Sequence, residues 1–190
     1  RCAFTAHKAG VTFAAIEPAI MTTRTHAAFT TATDSLVAGQ ELGQQILAGF
    51  GSERVDAVIV FASSRFDHEA LLQALAETCR PGVLVGSSSA GEFTGEARGE
   101  GSACALAISS QTMRFAAGIG SGVSRDRAAA AQAVVSGFHG LNRTDYPYRA
   151  ALVMTDALAG HADELIEQLT VATSGAYEFA GGGAGDDARF

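Results

Sequence analysis

The sequence predicts an α/β domain, a mixed and mostly parallel sheet with helices on both faces. Three observations carry that reading. Apolar runs at 55–62, 83–86 and 150–155 have the length of strands covered on both sides. Amphipathic stripes at helical spacing follow the first and third runs. Residues 57–93 also overlie 151–187 without gaps, strand on strand and helix on helix, which suggests duplicated β-α-β units.

The elements follow in order. A short strand at 27–32 leads to Asp34, a suitable cap for a helix through Leu36, Leu42, Ile46 and Phe50. Gly49-Phe50-Gly51-Ser52 ends it, and Val55–Ala62 is the first buried strand. Asp67 caps a second helix, whose Leu71, Leu72, Leu75 and Cys79 share one face until Pro81-Gly82 breaks it. Val83–Gly86 is a strand, and Ser87-Ser88-Ser89-Ala90-Gly91-Glu92 reads as a polar loop leaving its end. The runs 102–109 and 113–119 around Ser110-Gln111-Thr112 suggest a hairpin. Gly118, Gly120 and Gly122 lead to Ser124 as the cap of a helix through Val134, Val135 and Phe138. A loop at 142–148 precedes a strand at 150–155, a helix at 162–172 and a last strand at 177–180.

Composition bounds the function. Of 190 residues, 47% are hydrophobic and 17% charged, so the chain folds on a packed core. The net charge of −7, without a dense basic patch, gives phosphate-backbone binding no driving force, and nucleic acid is not an expected partner. No apolar run reaches the length of a membrane span, so no membrane partner is expected. Cys2, Cys79 and Cys104 form no C-x-x-C and are odd in number, which fits a reducing cytoplasm and neither a disulfide framework nor a zinc site. Near the start, Lys8 and the apolar 9–16 stop at Glu17-Pro18 without a clear cleavage site, and 1–24 reads as an extension outside the core.

The loops at the strand ends carry the chemistry. Gly86-Ser87-Ser88-Ser89-Ala90 approaches a nucleophile elbow, with Ser88 as nucleophile and Asp156 and His161 as partners, but no helix follows it directly. That makes a serine hydrolase the rival from another class. Gly118-Ile119-Gly120-Ser121-Gly122-Val123 is near a dinucleotide loop, without its third glycine or a following ribose-binding acid. Glu92, Asp186 and Asp187 stand where they can bind an amine or a hard cation, or simply cap and solvate. The five histidines show no paired metal spacing; His68 and His161, near helix starts, are the candidates if haem is bound.

Four motifs in order, Phe61-Ala62-Ser63-Ser64-Arg65-Phe66-Asp67-His68, Ser88-Ser89-Ala90-Gly91-Glu92-Phe93, Ala151-Leu152-Val153-Met154-Thr155-Asp156 and Gly181-Gly182-Gly183-Ala184-Gly185-Asp186-Asp187, resemble the N-terminal half of the FIST domain. The resemblance implies a bacterial intracellular sensory domain over 25–190, ending before a C-terminal half. It further implies a small ligand such as an amino acid or related metabolite, and a signalling partner such as a histidine kinase or cyclic-dinucleotide enzyme. Haem-based nitric oxide sensing is its alternative, and no catalytic residue is carried over. The expected ligand-binding set is Ser87, Ser88, Ser89, Gly91, Glu92, Asp156, Gly182, Gly183, Asp186 and Asp187, with no resident metal and no cofactor other than the haem alternative.

Overall fold

The structure is a computed structural model that describes residues 22–138 and 145–185. β1 (Thr23–Thr30) and α1 (Ser35–Phe50) come first, then β2 (Ala57–Ser63), α2 (His68–Cys79) and β3 (Val83–Ser89). The short β4 (Glu92–Phe93) and β5 (Arg98–Gly99) lead into β6 (Ala103–Ser110). After α3 (Arg127–Ser136) come β7 (Ala150–Asp156), a 3-10 turn (Ala157–Ala159), α4 (Ala162–Ala172) and β8 (Glu178–Ala184). No helix among the described residues is long and apolar enough to cross a membrane. The expected 1–24 extension lies largely outside the described residues; Thr23 and Arg24 open β1, and Arg24 pairs with Glu53 at 2.6 Å.

The class is α/β, with a mixed sheet in the order β1-β6-β2-β3. β6 runs antiparallel to both β1 and β2, while β2 and β3 are the parallel arms of a β-α-β unit around α2. Alternate residues of β6 face the helices. Ala103, Ala105 and Ala107 join Val58, Val60 and Ala62 in the core under the helices, while Leu106 on the opposite face is 40% exposed. Alanines there let the helix layer sit close to the sheet. α1 and α2 fill that layer with Leu42, Ile46, Leu71 and Leu75, all fully buried. Each such side chain contributes about 1.5–3 kcal/mol relative to exposure.

Both early caps hold as expected: Asp34 accepts from the Val37 N–H at 2.9 Å and Asp67 from the Ala70 N–H at 3.1 Å. Gly51, at φ 65°, ends α1 through the bond from its N–H to the Leu47 carbonyl. β1 is an edge strand, and α1 satisfies its outward backbone at Phe29. Gln45 accepts from the Phe29 N–H at 3.0 Å and donates to the Phe29 carbonyl at 2.9 Å.

A second, smaller core holds Ala131, Val135, Leu165 and Leu169, with Val153 and Phe179 packed on it. It lies between the parallel pair β7–β8 and the helices α3 and α4. The internal echo survives as two β-α-β units, and α4 stands where α2 predicts. The strand pairing has slipped by two residues, because Ala57 faces Val83 whereas Ala151 faces Phe179 and not Tyr177. An even slip keeps every side chain on its face.

Two expectations need correction. The run 113–119 is not the second arm of a hairpin: both neighbours of β6 are already β1 and β2, so no edge is left to pair. Gly118 and Gly120 instead press against the backbone of α3, at Val134 and Ala130, where any Cβ would collide. Ser124 is not the cap of α3 either. It lies in a turn, and Asp126 accepts from the Ala129 N–H at 2.9 Å.

Candidate functional site

The carboxyl ends of β2, β3, β7 and β8 lie along one edge. Ser88 accepts a hydrogen bond at its carbonyl from the Gly185 N–H, 3.0 Å away, and Asp156 pairs in register with Ala184 beside it. The edge of a parallel sheet outside its carboxyl ends is where α/β folds bind ligands. The expected loops are shorter than the sequence suggests. Ser87, Ser88 and Ser89 are the last residues of β3, facing Phe61, Ala62 and Ser63, and Gly182 and Gly183 are strand residues of β8 facing Met154 and Thr155. Continuous pairing with a neighbour overrides the weak strand preference of serine and glycine. Gly91, at φ 149°, turns the chain from β3 into β4. Asp186 and Asp187 lie outside the described residues.

Glu92 faces inward. It is 2% exposed, and its carboxylate accepts from Ser89 Oγ at 2.6 Å on one oxygen. The other oxygen accepts from the Ser102 N–H at 3.0 Å and from Ser102 Oγ at 2.7 Å. The side chain therefore clamps the end of β3 to the start of β6. Its charge also reaches Cys104: burial pushes that thiol above the ordinary range, and the Glu92 carboxylate pushes it further. Burial raises the Cys79 thiol likewise.

A raised thiol value means that the folded protein holds a proton the unfolded chain releases. Stability from both cysteines is present below the ordinary thiol value of 9.0 and falls as pH rises past it. Iodoacetamide at pH 8.5 is expected to alkylate Cys79 and Cys104 slowly in the folded protein and rapidly in denaturant. Equal rates in the two conditions would contradict their burial.

Beside the serines lies a cavity of 140 Å3. Val60 and Ala62 of β2 and Leu71 and Leu72 of α2 are its apolar walls, and His68, Ser87 and Ser88 bring the polar groups. Gly86 opens the space: on the helix side of β3, between Leu84 and Ser88, it offers no side chain, and a Cβ there would collide with the Val60 backbone. His68 Nε2 lies 3.1 Å from the Ser63 carbonyl, which only accepts, so Nε2 donates and, in the neutral ring, Nδ1 is the acceptor. Among the described residues neither the Ser87 nor the Ser88 hydroxyl has a hydrogen-bond partner, in contrast to Ser89 and Ser102. Sequence reasoning weighed His68 only as a haem ligand and missed Leu71, Leu72 and the gap at Gly86. A glycine inside an apolar run was the available signal.

The remaining candidates are held elsewhere. Asp156 caps the 3-10 turn, accepting from the Leu158 N–H at 2.9 Å, and His161 is exposed and pairs with Glu164 at 3.3 Å. The two groups weighed as partners of Ser88 thus have other bonds, and β3 is followed by a turn and β4 where an elbow needs a helix. For haem, the space beside His68 suits a molecule of about benzene's size, not a porphyrin. His161 stands on the open surface, so neither histidine sits in a slot shaped for a macrocycle. Among the described residues no group of three or more His, Cys, Asp or Glu is placed to hold a metal ion.

No curated protein matches the chain. Residues 56–190 match the FIST N domain, the span that holds the cavity, the Glu92 clamp and both β-α-β units. The chain therefore belongs to the FIST family of signal-transduction sensory domains.

Proposed function

We propose that this domain detects a small metabolite, of amino-acid size or less, and relays its presence to a signalling protein such as a histidine kinase or a cyclic-dinucleotide enzyme in the bacterial cytoplasm. The observation that carries the reading is the cavity at the carboxyl ends of β2 and β3, where the Ser88 hydroxyl, without a hydrogen-bond partner among the described residues, stands beside apolar walls. Ser87 and Ser88 contact the ligand, and Gly91, Gly182 and Gly183 allow its close approach along the edge. Asp156, at the carboxyl end of β7, supplies an acid at that edge. Ser89 and Glu92 act from within, tying the ligand edge to β6, the strand that joins β1 to β2.

A thermal melt of the 190-residue chain against amino acids and related metabolites tests this. A ligand present at one hundred times its dissociation constant adds about 2.7 kcal/mol of stability, a shift a melt resolves readily. A specific upward shift, lost in Ser88→Ala, is the expected result. A cooperative melt that no compound moves would leave a protein-interaction module as the better account.

A further inference from the structure

The cavity's lining says what kind of molecule fits it, an inference that rests on the sensory reading and narrows it. Among the described residues no Asp, Glu, Lys or Arg side chain lines the space. An ammonium or carboxylate entering it would lose water without gaining a counter-charge, a cost that a few apolar contacts do not return. The apolar walls instead favour a hydrocarbon body. The volume, 140 Å3, is close to that of an apolar protein cavity known to hold benzene.

The polar groups select the rest. Ser88 Oγ both donates and accepts, and His68, with its proton on Nε2, offers Nδ1 as an acceptor. A hydroxyl is the group that can serve both kinds of partner, accepting from a serine and donating to an imidazole. We infer that the cavity binds small uncharged hydroxyl compounds, of about the size of phenol, and excludes zwitterionic amino acids.

The test uses amide NMR spectra of the 190-residue chain with phenol, benzene, alanine and acetate in turn. Phenol is expected to move the signals of Gly86, Ser88, His68 and Leu72. Alanine and acetate leave them in place. Ser88→Ala weakens phenol about 3- to 10-fold, the value of one hydrogen bond, and leaves benzene unchanged. His68→Gln, whose amide can still donate to the Ser63 carbonyl, weakens phenol by a similar factor and provides a second variant if the first folds poorly. Alanine or acetate moving the same signals as strongly as phenol would overturn the uncharged class while keeping the site. Unmoved signals with phenol overturn the inference outright. In that event, a metabolite that shifts the melt and moves amides around Asp156 and Gly183 leaves the sensory reading standing. If no metabolite shifts it, both fall.

Discussion

Replacing Glu92 by alanine is expected to cost about 3 kcal/mol or more of folding stability, a large part of the 5–15 kcal/mol that a domain of this size possesses. The carboxylate receives three hydrogen bonds in a site 2% open to solvent. Hydrogen bonds to a charged group are worth about 1.5–3 kcal/mol each, and the alanine leaves the buried Ser102 N–H with no acceptor. Serine hydroxyls can rotate to new partners; the backbone N–H cannot. Glu92→Gln keeps one carbonyl oxygen for Ser102 and is expected to cost only about 1 kcal/mol. Urea denaturation distinguishes the two. If Glu92→Ala matched the parent midpoint, the clamp between β3 and β6 would have no energetic weight.

A second large effect has the opposite sign to helix propensity. Glycine inside a helix is worse than alanine by about 1 kcal/mol, so Gly39→Ala and Gly43→Ala would ordinarily stabilise α1. Here both glycines face α2. A Cβ on Gly39 collides with the Leu71 carbonyl and stands 2.9 Å from Ala74 Cβ, and one on Gly43 stands 2.6 Å from Thr78 Cβ. The helices approach along these bare positions, and overpacking such a seam costs roughly 1–3 kcal/mol. Gly39→Ala is therefore expected to lower the urea midpoint and Gly39→Val to lower it further. A raised midpoint for Gly39→Ala would show that α1 and α2 sit further apart than the structure has them.

These two sites also mark where the sequence is legible. α1, α2 and α4 are readable because their signals are local: Asp34 and Asp67 as caps, Gly51 and Pro81 as stops, and leucines at helical spacing. The strands are legible only where their residues favour strands. β2, rich in valine and isoleucine, stands out, whereas the serines of β3 and glycines of β8 are strand residues only because β2 and β7 hold them there. The false hairpin after β6 has a related cause. The true partner β1 lies far upstream, and local alternation carries no information about it.

The site divides in the same way. The motif residues Ser87 and Ser88 fall beside the cavity because parallel strands put their carboxyl ends together. The inward turn of Glu92 depends on Ser102, ten residues away just before β6, and no spacing rule reveals that pairing. The cavity is still less visible, since it is made by the missing side chain of Gly86 against α2, a relation that exists only in three dimensions.

The two separate cores have a consequence for how the domain opens. The larger is built on four strands, whereas the smaller rests on a two-stranded parallel pair, too little sheet to persist by itself. The smaller core is thus a cooperative unit of lower local free energy, with amides that exchange with solvent water before those of β2 and β6. Among the described residues β3 meets β8 between the units, and the bond from Gly185 to Ser88 ties them there. A molecule that grips both sides of that join raises the cost of parting them. Occupancy of the edge is thereby converted into a change in how often the second unit is open.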